Sequence, residues 1–237
     1  NAAAKARHGM NEAIARLSTG VRSMYGGDAA GASVAHTLRA DGRSALMAAR
    51  NVEDGISFLQ AGEAALLEIA ALNTRLRELA VQDLNAAFLD ANQEAAITAE
   101  EAAIVAAGNN IDNSSLNGIS MLTAAIAFTT DMDGGLSTLG AAAGITLASG
   151  VSNVDTQMGK ISKALGSMAA GIAALKGHQG TLYALSANAE AAAARIQDTD
   201  FARSSANLAK FSILNQSAMA MVSQANQANA AVLAVLN

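Results

Sequence analysis

The sequence predicts a mainly α fold: a long antiparallel helical hairpin, or coiled-coil bundle, with its N- and C-terminal arms paired and a small β-hairpin-containing central region. Three observations carry this expectation. None of the 237 residues is proline and only 3% are aromatic, whereas proline averages about 5% of ordinary chains. Alanine, which has the best helix propensity and little volume, recurs throughout. Apolar residues return at steps of three and four towards both ends, the narrow stripe that a helix presents to partner helices.

Element by element, residues 10–24 place Ile14, Leu17, Val21 and Met24 on one seam. The seam stops at Gly26-Gly27, and Asp28 is positioned to cap the next helix. That helix is expected from about Ala29 to Gln82, with a break near Gly42. Ile69, Leu72, Leu76 and Leu79 repeat the seam in its second half. Residues 92–113 read as another helix, with Ile97, Ile104 and Ile111 seven apart. From Asn113 to about Asn153 the chain holds NSSLNG, DMDGG, GAAAG and ASG, and the β-prone runs IAFTT and GITLA read as hairpin strands. Helix resumes near Asp155, where Ile161, Leu165, Met168, Ile172 and Leu175 form the cleanest heptad. Gly177 and Gly180 soften it before it ends near Gln197. Residues 203–236 are amphipathic and almost uncharged, with Leu208, Phe211, Val222, Val232 and Leu236 as larger apolar groups. Such a tail buries too little alone and needs a partner.

A net charge of −5 and a pI near 5.1 argue against nucleic-acid binding through a basic face, because the basic residues near the start (Lys5, Arg7, Arg16, Arg22, Arg39, Arg43, Arg50) are spread over several turns. The absence of cysteine excludes disulfides, thiolate metal sites and cysteine nucleophiles. No uninterrupted apolar run reaches the roughly 18 residues of a spanning helix, so no membrane insertion is expected. The start, NAAAKARHGMNEAIARL, carries charge throughout, unlike a cleavable signal peptide. Because it opens at Asn1 rather than methionine, an initial segment is expected before it.

Catalytic motifs are wanting. His8, His36 and His178 stand alone, without metal-ligand spacing. MGKIS (158–162) lacks the upstream glycine of a phosphate loop and falls within the heptad. DMDGG (131–135) opens like a calcium loop but lacks the later ligands, so it reads as a turn. Glu53 and Asp54, or Glu100 and Glu101, are sequence neighbours that point apart on a helix and read as solvated. The expectation is a non-enzyme without catalytic, metal or cofactor site. TRLRELAVQ (74–82) is the exception to this blandness: Arg75, Glu78 and Gln82 share a helix face opposite the leucine stripe.

LRELAVQ (76–82) resembles the signature segment of bacterial flagellin. AIARLSTGVR (13–22), DAAG (28–31) and ARNVEDGISFLQAGEAALLEI (49–69) resemble the N-terminal half of that family, and ARIQDTDFA (194–202) with ILNQSAMAMVSQANQ (213–227) its C-terminal half, in the family's order. The matches cover roughly three-fifths of the chain by this reading. The resemblance implies a self-polymerising subunit of the flagellar filament that transmits motor torque, exported through the type III channel without a cleaved signal. Its terminal arms order on assembly.

The same resemblance implies a layout: inner-tube helices at 1–18 and 203–237, a connecting spoke at 19–30 and 196–202, a helical rod at 31–120 and 155–195, and a short outer region at 121–154. Inner-tube contacts would fall to Ile14, Leu17, Val21, Leu208, Phe211, Val222, Val232 and Leu236. The face Arg75, Arg77, Glu78, Leu79 and Gln82 would meet neighbouring subunits. Arg75 and Leu79 also match a face bound in many members by an innate immune Toll-like receptor, although Thr74 replaces a common glutamine and a further glutamate aligns with either Glu100 or Glu101. An export chaperone and a filament cap are further implied partners. Asn229 stands where the family carries proline, which lets the last helix run on to Leu236. Two rivals are a hook–filament junction protein and a flagellin-like surface binding protein; the latter would need aromatic residues in the outer segment, where 121–150 offers only Phe128.

Overall fold

The computed structural model describes residues 2–22, 28–123, 126–130, 135–139 and 145–236. Five helices dominate: α1 (Ala2–Thr19), α2 (Ala29–Asp83), α3 (Ala91–Asp112), α4 (Val151–Gln197) and α5 (Phe201–Leu236). Four short strands, β1 (Ser115–Leu116), β2 (Ile119–Ser120), β3 (Ile126–Thr129) and β4 (Leu136–Leu139), lie between α3 and α4. The result is the expected mainly α helical hairpin bundle. By contact density the chain divides into two units, residues 1–40 with 188–237 and residues 41–187.

In the larger unit, α2 and α4 run antiparallel. Ala45, Ala48, Ala49, Val52, Ile56 and Leu59 of α2 pack with Ile172, Leu175 and Leu182 of α4. Further along, Leu66 and Ile69 meet Ile161, Ala164 and Met168. The ladder closes where Asn73 Nδ2 donates to the Val154 carbonyl (3.1 Å) and Arg77 pairs with Asp155 (2.8 Å). The α4 heptad is thus inward-facing as its spacing predicts, with Leu165 partly buried at its edge. Gly42 makes no break in α2, because a single glycine costs a helix only about 1 kcal/mol and the alanines beside it are packed.

One window of α2 reaches a mean hydropathy of 1.3, long and apolar enough by composition to cross a bilayer, a test that a helix packed in a protein core also passes. Alanines and regularly spaced leucines raise that mean; Ile56, Leu59, Leu66 and Ile69 pack in the core with α4, while Leu67 is exposed.

Helix α3 begins with a capping box, in which Asp90 Oδ1 accepts from the Asn92 and Gln93 backbone and Gln93 Oε1 accepts from the Asp90 N–H. The NSSLNG run forms the tight hairpin β1–β2, whose turn residues Asn117 and Gly118 have φ of 54° and 77°. Positive φ at both positions is the condition of a type I′ turn. IAFT of β3 pairs antiparallel with LSTL of β4. The intervening residues 131–134 of DMDGG lie outside the described residues.

GITLA departs from expectation. Residues 145–148 are not a strand but an extended segment laid on α3. Ile145 N donates to Asp112 Oδ1 (3.2 Å) and Leu147 N to Asn109 Oδ1 (3.0 Å), while both apolar side chains enter the core. Ile145 and Leu147 are buried and Thr146 is exposed, as in a strand, but helix side chains accept the hydrogen bonds that a neighbouring strand would have taken.

In the smaller unit, α1 ends where Gly20 (φ 70°) donates to the Arg16 carbonyl, a left-handed stop suited to glycine. The chain then pairs briefly with the segment before α5: Val21 bridges Asp198, Arg22 N donates to Gln197 O (2.7 Å), and Thr199 N donates to Gly20 O (2.8 Å). Asp28 caps α2 as expected, its Oδ1 accepting from Gly31 N. Met24, Gly26 and Gly27 lie outside the described residues. Helix α5 is continuous through Asn229, because no proline interrupts it.

Candidate functional site

Two surfaces carry the residues that the sequence singles out. The first is the α2 face at 74–82. Arg75 donates through Nε to Glu100 Oε1 of α3 (2.9 Å) and through Nη1 to Glu78 Oε2 (3.0 Å). These two acceptors, Glu100 above all, hold its guanidinium more firmly protonated than usual. Between the two aligned glutamates, the partner of Arg75 is therefore Glu100. Glu101 is instead partly buried, which raises its carboxyl above the usual range, with Asp83 adding to the effect. Arg75, Arg77, Glu78 and Gln82 are all exposed. Leu79 is not: at 2% exposure it belongs to the inward stripe with Leu76. Its side chain is not offered to a partner, because the step of three from Leu76 carries it to the packed face. Val81, Leu84 and Phe88 are exposed just beyond, an apolar neighbourhood that the sequence reading did not single out.

The second surface is the pair of terminal arms. Helix α1 buries Ala6, Gly9 and Ala13, at steps of three and four, rather than Ile14, Leu17 and Val21. Within one chain, therefore, the face of α1 that meets α5 is this small-residue stripe and not the Ile14–Leu17–Val21 seam. Helices can approach closely only through small residues, and here the Phe211 ring of α5 covers Gly9. Ile14 is left 47% exposed and Leu17 partly so, while Val21 lies past the helix end in its bridge to Asp198. On α5, Leu208 and Phe211 are half-buried, and Ile213, Met219, Met221 and Val222 are exposed, Met221 to 71%. Val232 and Leu236 fall within α5, but their side chains lie outside the described ones. A search for small residues at helical spacing, rather than large ones, would have found the Ala6–Gly9–Ala13 stripe.

Elsewhere the structure gives little for chemistry. His8, His36 and His178 are exposed, and no cluster of metal-ligating side chains occurs among the described residues. Glu53, expected to be solvated, instead accepts from the Tyr183 hydroxyl (2.7 Å) and Gln179 Nε2 (2.8 Å) across the α2–α4 interface. These bonds lower its pKa and raise that of Tyr183. They tie two helices together and form no pocket.

Comparison with known proteins agrees with this architecture. Residues 1–127 match the bacterial flagellin N-terminal helical region and residues 151–236 the bacterial flagellin C-terminal helical region. The chain is 31% identical to a flagellin of Halalkalibacterium halodurans, an alignment covering 95% of this chain and 91% of that protein. It is equally 31% identical to the flagellar filament core protein flaB2 of Brachyspira hyodysenteriae (96% and 92% covered) and to flagellin FlaB2 of Treponema pallidum (94% and 91%). Helical ends that match in order, a short middle between them and near full-length similarity lead to one conclusion: the chain belongs to the bacterial flagellin family.

Proposed function

We infer that this chain is a structural subunit that self-polymerises into the bacterial flagellar filament and serves swimming motility. The observation that carries this reading is the division of labour in the terminal arms. Small residues pair α1 with α5, while Ile14, Ile213, Met221 and Val222 remain outward. Large apolar groups left exposed along paired helices are suited to packing against further copies. Residues 1–18 and 203–237 then form the inner tube, 19–30 and 196–202 the spoke, 31–120 and 155–195 the rod, and 121–154 a reduced outer region.

On this reading the Arg75–Arg77–Glu78–Gln82 face is a contact between neighbouring subunits first, and a Toll-like receptor epitope second. The buried position of Leu79 weighs against the receptor role. Filament growth outside the cell, an export chaperone and a filament cap complete the proposal. Electron microscopy of the purified chain beside a version cut to residues 30–200 tests it. Filaments from the full chain only support assembly through the arms. Monomers from both, with filament seeds present, would refute it and favour a junction or surface binding protein.

A further inference from the structure

We propose that the cavity at the foot of α5 is an oxyanion-binding site, formed by donors from the end of α1 and the first turns of α5. A free anion as occupant does not depend on the filament reading, whereas a carboxylate from a second copy rests on it. The cavity has a volume of about 350 Å³ and lies wholly within the smaller unit. Its two lining carboxylates are already engaged. Asp28 takes Gly31 N and the Arg22 guanidinium (2.6 Å), and Asp200 caps α5 by accepting from Arg203 N (3.0 Å).

What remains unengaged is a set of donors. Thr199 and Ser204 line the cavity, each only 7% exposed. Thr199 Oγ1 has no hydrogen-bond partner among the described residues, nor does the buried Nε of Arg16, whose Nη2 is held by Glu12 (2.5 Å). Arg203 projects from the first turn of α5 beside them and pairs with no carboxylate among the described residues. Asn207 adds an amide one turn further on.

The Thr199 hydroxyl and the Arg16 Nε–H are buried without partners, and leaving buried donors unsatisfied is costly. A ligand that only accepts hydrogen bonds satisfies several of them together. The N-terminal end of α5 adds its positive dipole. Charge on guanidinium groups and charge-assisted bonds favour an anion over water. The occupant is therefore an oxyanion, either a free tetrahedral anion such as phosphate or a carboxylate carried by a second copy. Either would tie α1 to α5 where the arms join.

Equilibrium dialysis with labelled inorganic phosphate tests this at constant ionic strength, on protein whose α1 and α5 amides are protected in hydrogen exchange, whether assembled or not. Saturable binding near one phosphate per chain is expected, weakened about tenfold by Arg203→Gln and also weakened by Thr199→Val. Lys210→Gln, on the same helix but outside the cavity, should leave it unchanged. Binding by assembled protein identifies the free anion as occupant. Binding by unassembled protein with protected arms that is lost on assembly supports a carboxylate of a second copy as occupant. No saturable binding in either form, equal displacement by chloride, or an affinity untouched by Arg203→Gln would overturn the proposal. Protection of α1 and α5 in the variants separates a lost site from unfolded arms.

Discussion

The Phe211 ring of α5 lies directly over Gly9 of α1, so closely that a Cβ added at Gly9 would stand 2.6 Å from the ring. Gly9 is therefore a point of close approach between the two arms, and a larger residue there would push the ring aside. Gly9→Ala should displace the Phe211 ring, with an overpacking cost of about 1–3 kcal/mol offset by the roughly 1 kcal/mol of helix propensity that alanine regains within α1. Phe211→Leu in the same chain should relieve part of that overpacking. Thermal unfolding followed by helix signal, with the single and double variants compared, checks both.

In the larger unit, Leu66 is fully buried against α4 and the 145–147 segment. Leu66→Ala should cost about 2–5 kcal/mol through lost transfer energy and the cavity left behind. Denaturant unfolding measures it. Arg75→Ala, on the exposed face of the same helix, should leave the midpoint almost unmoved. If that face joins subunits, the substitution should instead slow seeded filament growth, read by light scattering.

Asp112 fastens an irregular segment to a regular one. Buried at the end of α3, it accepts from Ile145 N (3.2 Å). Asp112→Ala should orphan that N–H at about 1–3 kcal/mol and loosen residues 145–147. Faster amide exchange at Ile145 and Leu147, with α4 unaffected, is the expected signature.

Glu53 should give the α2–α4 pairing a dependence on pH. The Tyr183 hydroxyl, then the Gln179 amide, hold its carboxyl below the ordinary value of 4.5. A depressed carboxylate contributes stability above its unfolded pKa and loses it as pH falls through the folded one. That contribution is thus present at neutral pH and disappears below about pH 4.5. Tyr183 runs the other way: its folded pKa is raised above 10.0 chiefly by Glu53, so its contribution is present below that value and lost at higher pH. Glu53→Gln should flatten the acid limb of a plot of thermal midpoint against pH, measured by circular dichroism. An unchanged acid limb would remove Glu53 as its source.

Local pattern in the chain was enough to specify the helices, the approximate ends of α2 to α5 and the inward stripe of α4, whereas α1 stops at Gly20 rather than at Gly26-Gly27. Ile161, Met168, Ile172 and Leu175 recur at coiled-coil spacing, and such periodicity decides which face of a helix is apolar. It also exposed the polar face at Arg75, Glu78 and Gln82, because residues three and four apart share a side. Which partner each stripe would meet was settled by packing alone. The α1 seam runs through Ala6, Gly9 and Ala13 because distance between helices, which no local pattern records, rewards small residues and leaves Ile14 outside. GITLA became a segment fastened by Asp112 and Asn109, and Glu53 became a clamp on Tyr183, through contacts between residues 33 and 130 positions apart in the chain. Periodicity reports on neighbours within an element, whereas hydrogen-bond partners across elements exist only once packing has brought them together.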